Sequence, residues 1–456
     1  MKVENLTTAL LRRATGGAVR GKDKRITGVS IDSRTIKKGE VFFAVKGESY
    51  DGHGFAAEAL LKGASWVVVS RRMGLKQDYI LVPDTTAALG KLAAKWRRRF
   101  HIPCIGVTGT SGKTTTRGII AHLLAKRYQC CESIKNYNNF VGLPLSILQI
   151  TERTTLAVIE LAMNRRGEIR KLAHIADPSM GVVTNVGRGH LEFLGSLENV
   201  AKAKAELLTY LKKGDVAVLN FDDPLVRKMA RKTKAEVVSF GIDSDADFRA
   251  GDIRLGAQGS TFSLNGKQDF ELSLYGKMNV YNAVAALATA AVHGLNTNEM
   301  RRRLASIKPL RMRLQRISVG GITIFNDSYN ANPDSMSAAI AVAAAVRGKR
   351  KVACLGDMLE LGDRSIDFHR EVGRKLAEHD FDVLLLYGPF SRAIGEGFKA
   401  NGRRRVQVAH FSDRKALTRK LLRTVRKGDV VLIKASHAQR LDLVADELIT
   451  NLKRRT

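Results

Sequence analysis

The stretch Gly106-Val-Thr-Gly-Thr-Ser-Gly-Lys-Thr-Thr115 constrains this chain most, because it joins an apolar strand-like run, Ile102 to Val107, to a helix-like one starting near Thr114. A strand, a glycine-rich turn and a helix start, in that order, are the geometry of a phosphate-binding loop. Glycines let the backbone curl so that successive N–H groups face a polyphosphate, Lys113 adds a mobile positive charge, and the Thr114 hydroxyl is placed to ligate Mg²⁺. Val107 stands where the strict G-x-x-x-x-G-K-[ST] pattern has its first glycine. Gly106 and Gly109 point instead to a variant loop, G-x-x-G-T-x-G-K-T-T.

A chain of 456 residues exceeds one hydrophobic core and, at roughly 150 residues per domain, predicts about three. No apolar run reaches the ~20 residues of a membrane span, and the start, Met1-Lys-Val-Glu-Asn, lacks the basic-then-apolar pattern of a signal peptide, so a cytoplasmic location is expected. The cysteines, Cys104, Cys130, Cys131 and Cys354, form no C-x-x-C and point to neither a zinc site nor a disulfide framework. They are expected to be reduced and structural. Lysine and arginine exceed acidic residues by 32, a balance found in proteins that meet nucleic acid or anionic membranes. The basic clusters are scattered, however, from Arg71-Arg72 and Arg97 to Arg99 through Arg301 to Arg303 and Lys349 to Lys351 to Arg403 to Arg405 and Lys453 to Arg455. No aromatic residues interleave with them as a stacking platform. A generally basic surface is the simpler account, an anionic partner the other; nucleic acid is not expected, and peripheral contact with an anionic membrane stays open.

Three blocks follow along the chain. Up to about residue 100, short β-like runs (Ile26 to Ile31, Val41 to Val45, Trp66 to Val69, Ile80 to Val82) precede a helix-like stretch from Thr85 to Phe100. From the phosphate loop onward, β-rich Leu156 to Leu161, Gly181 to Val186 and Val216 to Asn220 alternate with helical segments. That rhythm predicts a parallel sheet with helices on both faces. An irregular, Gly-rich part, Phe240 to Leu274, is expected before a helix Asn279 to His293, and Lys308-Pro309 marks a boundary. The α/β rhythm restarts with Ile322 to Phe325, Val352 to Leu355, Val383 to Tyr387, Val406 to Phe411 and Val430 to Lys434. The fold class is therefore α/β in three domains, 1–100, 101–309 and 310–456.

Ligands of open α/β sheets sit at the carboxyl ends of strands. Glu160 closes Leu156-Ala-Val-Ile-Glu-Leu161, and His190 lies in the loop after Val182-Val-Thr-Asn-Val186. A carboxylate and an imidazole there are candidates to hold Mg²⁺, although Mg²⁺ prefers oxygen and His190 by itself reads as a loop histidine. Farther on, Ser196 has the place of a helix N-cap and Gly214 of a stop, with Leu197, Val200, Ala201, Leu207, Leu208 and Leu211 on one apolar stripe. Lys204 falls in the middle of that stripe. Such a lysine snorkels its ammonium outward, or, if desolvated, has a depressed pKa and a nucleophilic neutral amine.

Together these segments resemble the Mur ligases, the ATP-dependent amino-acid-adding enzymes of peptidoglycan synthesis, nearly end to end. The loop Gly106 to Thr116, including Gly109, Thr110, Ser111, Gly112, Lys113, Thr114 and Thr115, is similar to the family's ATP loop. Asn136-Tyr-Asn-Asn-Phe-Val-Gly-Leu-Pro144, with Asn138 and Asn139, is similar to its asparagine-rich segment, and Asn282 in Asn279-Val-Tyr-Asn-Ala283 to the asparagine beside adenine. The resemblance implies Mg²⁺ on Thr114 and Glu160, a second Mg²⁺ on Glu160, His190 and Lys204, and carbamylation of Lys204, whose segment Ala203-Lys-Ala-Glu-Leu207 matches the modified one. Asp32-Ser33-Arg34, Phe42-Phe43-Ala44 and Asp51-Gly-His53 resemble the family's UDP-sugar-binding domain, so the expected architecture is a UDP-sugar-binding α/β domain, a central P-loop ATPase domain and a Rossmann-like C-terminal domain.

Asn326-Asp-Ser-Tyr-Asn-Ala-Asn-Pro333 and Leu355-Gly-Asp-Met-Leu-Glu-Leu-Gly362 with His369 resemble the family's D-alanyl-D-alanine-adding members. They imply ligation of that dipeptide to a UDP-N-acetylmuramoyl tripeptide through an acyl phosphate, by a monomer. Arg313 and Asp327 would serve the nucleotide, and Tyr329, Asn330 and Asn332 the dipeptide. Arg311 competes with Arg313 for the family's arginine, and the following Leu-Gln favours Arg313. Met278 replaces the usual His, and Lys434-Ala-Ser-His-Ala-Gln-Arg440 departs from Lys-Gly-Ser-Arg. A sibling ligase adding a diamino acid is the nearest rival, but its Asp-Asn-Pro-Arg motif is absent; a basic nucleic-acid-binding ATPase is a rival of another class.

Overall fold

Strand propensity and burial concentrate in three sheets, seen in a computed structural model that describes residues 1–20, 25–47, 50–74, 79–134, 137–256, 258–400 and 406–455. Asn136 and the cluster Arg403 to Arg405 lie outside the described residues. The first sheet has the order Ala18–Arg20, Tyr79–Leu81, Trp66–Val69, Glu40–Phe43, Gly28–Ser30, parallel except for the first pair. Its last helix, Thr85–Arg97, starts on an Asp84 cap, whose side chain accepts from the Ala87 N–H, and buries its apolar face against the central domain.

Trp96 closes that joint. It is 2% exposed, donates from Nε1 to the Ile150 carbonyl at 3.0 Å, and packs edge-on to Phe100. Beside it the buried Arg97 donates to the carbonyls of Ala176, Phe100 and Ile102. One hydrophobic core therefore runs from the first sheet into the central domain.

The central sheet has nine strands. Its parallel part runs Phe248–Gly256, Glu236–Gly241, Val216–Asn220, Met180–Val183, Cys104–Thr108, Leu156–Glu160, Cys130–Glu132. Cys104–Thr108 lies between Leu156–Glu160 and Met180–Val183, so the chain winds outward to one edge and then crosses to the other side. That reversal opens a crevice at the carboxyl end of Cys104–Thr108, where the phosphate loop begins. Helices Thr85–Arg97, Glu168–Ala176, Leu197–Tyr210 and Pro224–Met229 cover one face, and Lys113–Leu124 and Lys277–Val292 the other.

Phe240 to Leu274 corrects the sequence expectation, for it is ordered sheet rather than irregular chain. Phe248–Gly256, Gly259–Leu264 and Gln268–Leu272 form an antiparallel meander. Glycines and polar residues mask its alternation, but Phe262 and Phe270 pair across the strands with rings stacked at 5.6 Å and close the core over Lys277–Val292. Leu197–Tyr210 does begin on Ser196, whose hydroxyl accepts from the Asn199 N–H, and ends at the extended Leu211, before Gly214.

The third sheet runs Gln315–Val319, Ile322–Asp327, Asp429–Lys434, Arg350–Gly356, Val383–Tyr387, Gln407–Phe411, parallel after its first pair. All four cysteines are unpaired thiols, and burial pushes them up to about 11 or 12, which keeps them unreactive.

Trp96→Ala should cost about 3–5 kcal/mol, because it removes a large packed ring and leaves the Ile150 carbonyl unpaired. A thermal melt should show a lowered first transition; an unchanged melt would mean that the joint does not couple the two domains.

Candidate active site

The phosphate loop turns at two glycines that no other residue replaces. Gly109 has φ 151°, and a Cβ there would meet Thr184 Oγ1 at 1.9 Å; Gly112 has φ 84°, and a Cβ would meet Asn282 Oδ1 at 2.1 Å. Gly112 precedes helix Lys113–Leu124 without a side-chain cap, so the first helical N–H groups are left for an anion. Lys113 folds back, donating from Nζ to the carbonyls of Gly109 (2.8 Å) and Thr110 (3.1 Å). Burial pushes its pKa down, Glu160 opposing and Arg313 adding to the shift.

A chain of polar contacts leads away from the loop. Thr114 Oγ1 donates to Glu160 Oε2 at 2.7 Å, Asn138 Nδ2 donates to Glu160 Oε1 at 2.9 Å, and Arg313 reaches across from the third domain to donate to Thr114 Oγ1 at 2.7 Å. The Arg313 guanidinium lies 4.0 Å from the centre of the Tyr329 ring. Arg311, by contrast, is exposed and pairs with Asp446. Asp327 is anchored by the buried Lys434, whose Nζ donates to its Oδ2 at 2.6 Å and to the Asn330 carbonyl at 2.9 Å. Asn332 caps helix Pro333–Ala345 and donates to Ser111 Oγ at 3.2 Å, tying that helix to the phosphate loop. These residues, with Asn282 and Met278, line one crevice of about 530 Å³ between the central and third domains.

Of the other candidates, His190 lines the same crevice but is turned to Glu360. His190, with φ 59°, has Nδ1 at 2.7 Å from Glu360 Oε2, a contact short in distance though bent from the ring N–H direction. The imidazole is the main influence holding the Glu360 carboxyl below its usual range. Lys204 is 2% exposed and has no hydrogen-bond or ion-pair partner among the described residues. Burial, then the charge of Lys113, pushes its pKa well below the usual lysine range. Asn139 is occupied as a turn cap, accepting from the Val141 and Gly142 N–H groups. Ser33 donates to Glu58 and Arg34 pairs with Asp32 in the first domain, outside the crevice.

Thr114 and Glu160 present adjacent oxygens to the crevice, a donor set that suits Mg²⁺ held jointly with phosphate oxygens. Among the described residues no group of three His, Cys, Asp or Glu side chains forms a preassembled metal site, and His190 and Lys204 are not gathered onto Glu160.

Sequence reasoning missed Arg188. Its backbone N–H and its Nε and NH2 donate to Asp334 at 2.7–2.9 Å, NH1 donates to both oxygens of Glu371 at 2.7 and 2.8 Å, and its guanidinium lies 5.4 Å from the centre of the Phe368 ring. Burial works against the charge, but the bonds to Glu371 and Asp334 outweigh it and raise the pKa. Both acids belong to the third domain, so Arg188 latches it to the loop that follows Met180–Val183. Only the carboxylates' positions reveal this. Lys434 had a legible signal: like Glu160, it is a charged residue ending a buried apolar strand.

The chain belongs to the Mur ligase family: models of the Mur ligase family catalytic domain, the Mur ligase middle domain and the Mur ligase glutamate ligase domain match residues 25–97, 107–290 and 312–437. More particularly, it is 35% identical over 430 residues to the UDP-N-acetylmuramoyl-tripeptide–D-alanyl-D-alanine ligase of Bacillus subtilis, with 93% of each chain covered. The enzyme of that name from Escherichia coli is 33% identical, covering 98% of this chain and 99% of its own. Among solved structures, MurF from Acinetobacter baumannii superposes with a TM-score of 0.90 at 29% identity over 99% of this chain and 100% of that one. The MurF ligase of Thermotoga maritima in complex with ADP gives 0.83 at 32% over 95% and 99%.

Arg188→Ala should lower kcat by about 10²-fold, because misplacing the third domain by an ångström spoils the reacting geometry, while ADP affinity stays near wild type. Exchanging the charges in Arg188→Asp with Asp334→Arg should restore part of the rate. Stopped-flow turnover with calorimetry of ADP binding decides; an unchanged kcat would remove the latch from the mechanism.

Proposed function

We propose that this protein is an ATP-dependent ligase that joins D-alanyl-D-alanine to a UDP-N-acetylmuramoyl tripeptide in peptidoglycan precursor synthesis. The observation that carries this reading is the phosphate loop sharing one crevice with Arg313, Asp327 and Tyr329 of the third domain, in a chain matching ligases of that name over nearly its whole length. The domain borders are placed at residues 100 and 309. The protein is read as a cytoplasmic monomer with peripheral contact to anionic membrane; no helix among the described residues is long and apolar enough to cross one.

The tripeptide carboxylate attacks the γ-phosphorus of ATP, the bond to the β,γ-bridging oxygen breaks, and ADP leaves behind an acyl phosphate. The dipeptide amine then attacks that carbonyl carbon, phosphate departs, and the amine loses its proton as the amide forms. Lys113 leaves its two carbonyls for the β/γ-phosphates, whose negative charge opposes the downward shift that burial imposes on its ammonium. Asn282 supports the adenine end. Arg313, fixed over Tyr329, and Asp327, fixed by Lys434, border the transferring phosphoryl group, and Tyr329, Asn330 and Asn332 receive the dipeptide. Ser33 and Arg34 hold the UDP-sugar, with Asn138 and Asn139 nearer the peptide. Thr114 and Glu160 would hold a Mg²⁺ that neutralises phosphate charge; a second ion would require His190 to leave Glu360 and, with a carbamylated Lys204, to join Glu160. The buried, unpartnered Lys204 amine suits that modification, since its neutral form is the nucleophile that CO2 requires.

Phosphate release should require both the UDP-tripeptide and D-alanyl-D-alanine. Equal turnover on ATP alone, or a preference for UDP-dipeptide with a diamino acid, would overturn the reading. For Lys204, intact-protein mass under bicarbonate should show an added carboxylate that Lys204→Met lacks, and the variant should lose most activity with little change in melting temperature. A fully active variant with an unmodified wild type would return Lys204 to a packing role.

A further inference from the structure

The charge of the chain is distributed unevenly once the fold is known. Four helical elements lie side by side on one face of the central sheet: Thr85–Arg97, Glu168–Ala176, Leu197–Tyr210, and Pro224–Met229 with the turn that follows it. Within residues 85–101, 164–176, 197–214 and 224–236, sixteen Lys and Arg side chains are exposed against two exposed acids, Glu198 and Glu236. None of the sixteen is within ion-pair distance of a carboxylate among the described residues. The third domain mixes the two kinds: Arg311, Arg370, Lys375 and Arg440 pair with Asp446, Asp367 and Glu396, Glu378 and Asp442, whereas the exposed Lys399, Lys415, Arg423 and Arg426 pair with no carboxylate among the described residues.

Unpaired charge of one sign on adjacent helices raises the self-energy of the fold, and an anionic partner relieves it. We infer that this helical layer is a docking face for an anionic lipid surface. It deepens the membrane contact proposed above and stands independently of the ligase chemistry. A layer of helices on one side of a sheet presents a broad surface rather than a groove, which suits headgroups better than a single strand of nucleic acid. Base stacking needs exposed rings, and the only large exposed aromatic bordering the layer among the described residues is Phe193, 41% exposed beside Arg165. An aromatic ring at the edge of a basic face is an interfacial anchor. None of the sixteen cations lines the nucleotide crevice, so docking leaves that crevice open.

The test is cosedimentation of the full chain with vesicles of phosphatidylcholine alone or mixed with phosphatidylglycerol. Wild type should partition onto the anionic vesicles only, less as salt rises. Arg170→Glu, Lys202→Glu, Lys213→Glu and Arg231→Glu together should weaken partitioning by more than roughly tenfold. A control of equal charge, with Lys399→Glu, Lys415→Glu, Arg423→Glu and Arg426→Glu, should keep most of it. Both variants should melt and turn over as wild type does, so ligase chemistry and docking are read separately. If a variant melts early, single reversals at Arg170 and Lys202 against Lys399 and Lys415 replace the sets. No binding of wild type to anionic vesicles, equal losses in both variants, or displacement by duplex oligonucleotide at matched phosphate concentration would overturn the inference.

Discussion

The hydrogen bond from Arg313 to Thr114 carries the architecture, because it crosses a domain boundary to reach the residue that follows the phosphate-loop lysine. Thr114 in turn donates to Glu160, and Glu160 is held on its other oxygen by Asn138. Three strand ends and two domains thus meet in one run of polar contacts. A guanidinium in that run needs the third domain closed, which Arg188 secures from the opposite side through Asp334 and Glu371. Neither half of the crevice holds the whole constellation, so domain closure and assembly of the site are one event.

Strand-ending polar residues were the most legible part of the site. Leu156–Glu160 is buried throughout, and a carboxylate at its carboxyl end has few roles other than meeting a ligand. The phosphate loop was legible for the same reason: glycines with positive φ between a strand and an uncapped helix leave few alternatives. Lys204 could be placed on a buried helical stripe, and the structure buries it fully. Cross-domain partners were not legible, since nothing local to His190 points to Glu360 and nothing local to Arg188 points to Glu371. The choice between Arg311 and Arg313 was open to motif reasoning, and the geometry separates them because only Arg313 faces the loop. Phe240 to Leu274 was misread because short antiparallel strands with glycines at their turns carry a weak alternation; their stability comes from Phe262 on Phe270 and from the helix beneath.

Electrostatics divide the molecule by function. In the crevice, cations are tethered: Lys113 by loop carbonyls, Arg313 by Thr114 and Tyr329, Lys434 by Asp327. Tethering pre-orders charge where phosphate charge must be met, so little reorganisation remains for the reaction itself. On the helical layer the cations are exposed and free of carboxylate partners among the described residues, although Arg98 meets the His174 carbonyl and Arg99, Arg165, Lys171 and Arg227 lie over aromatic rings, an arrangement for attracting a surface rather than orienting a reaction.

The central claim, that the crevice activates a carboxylate by phosphoryl transfer, is tested most directly by an isotope label. With ¹⁸O in the terminal carboxylate of the UDP-tripeptide, formation and breakdown of the acyl phosphate move one labelled oxygen into inorganic phosphate. Mass analysis of the released phosphate should find one ¹⁸O per turnover; phosphate carrying no label while the amide product accumulates would contradict the account.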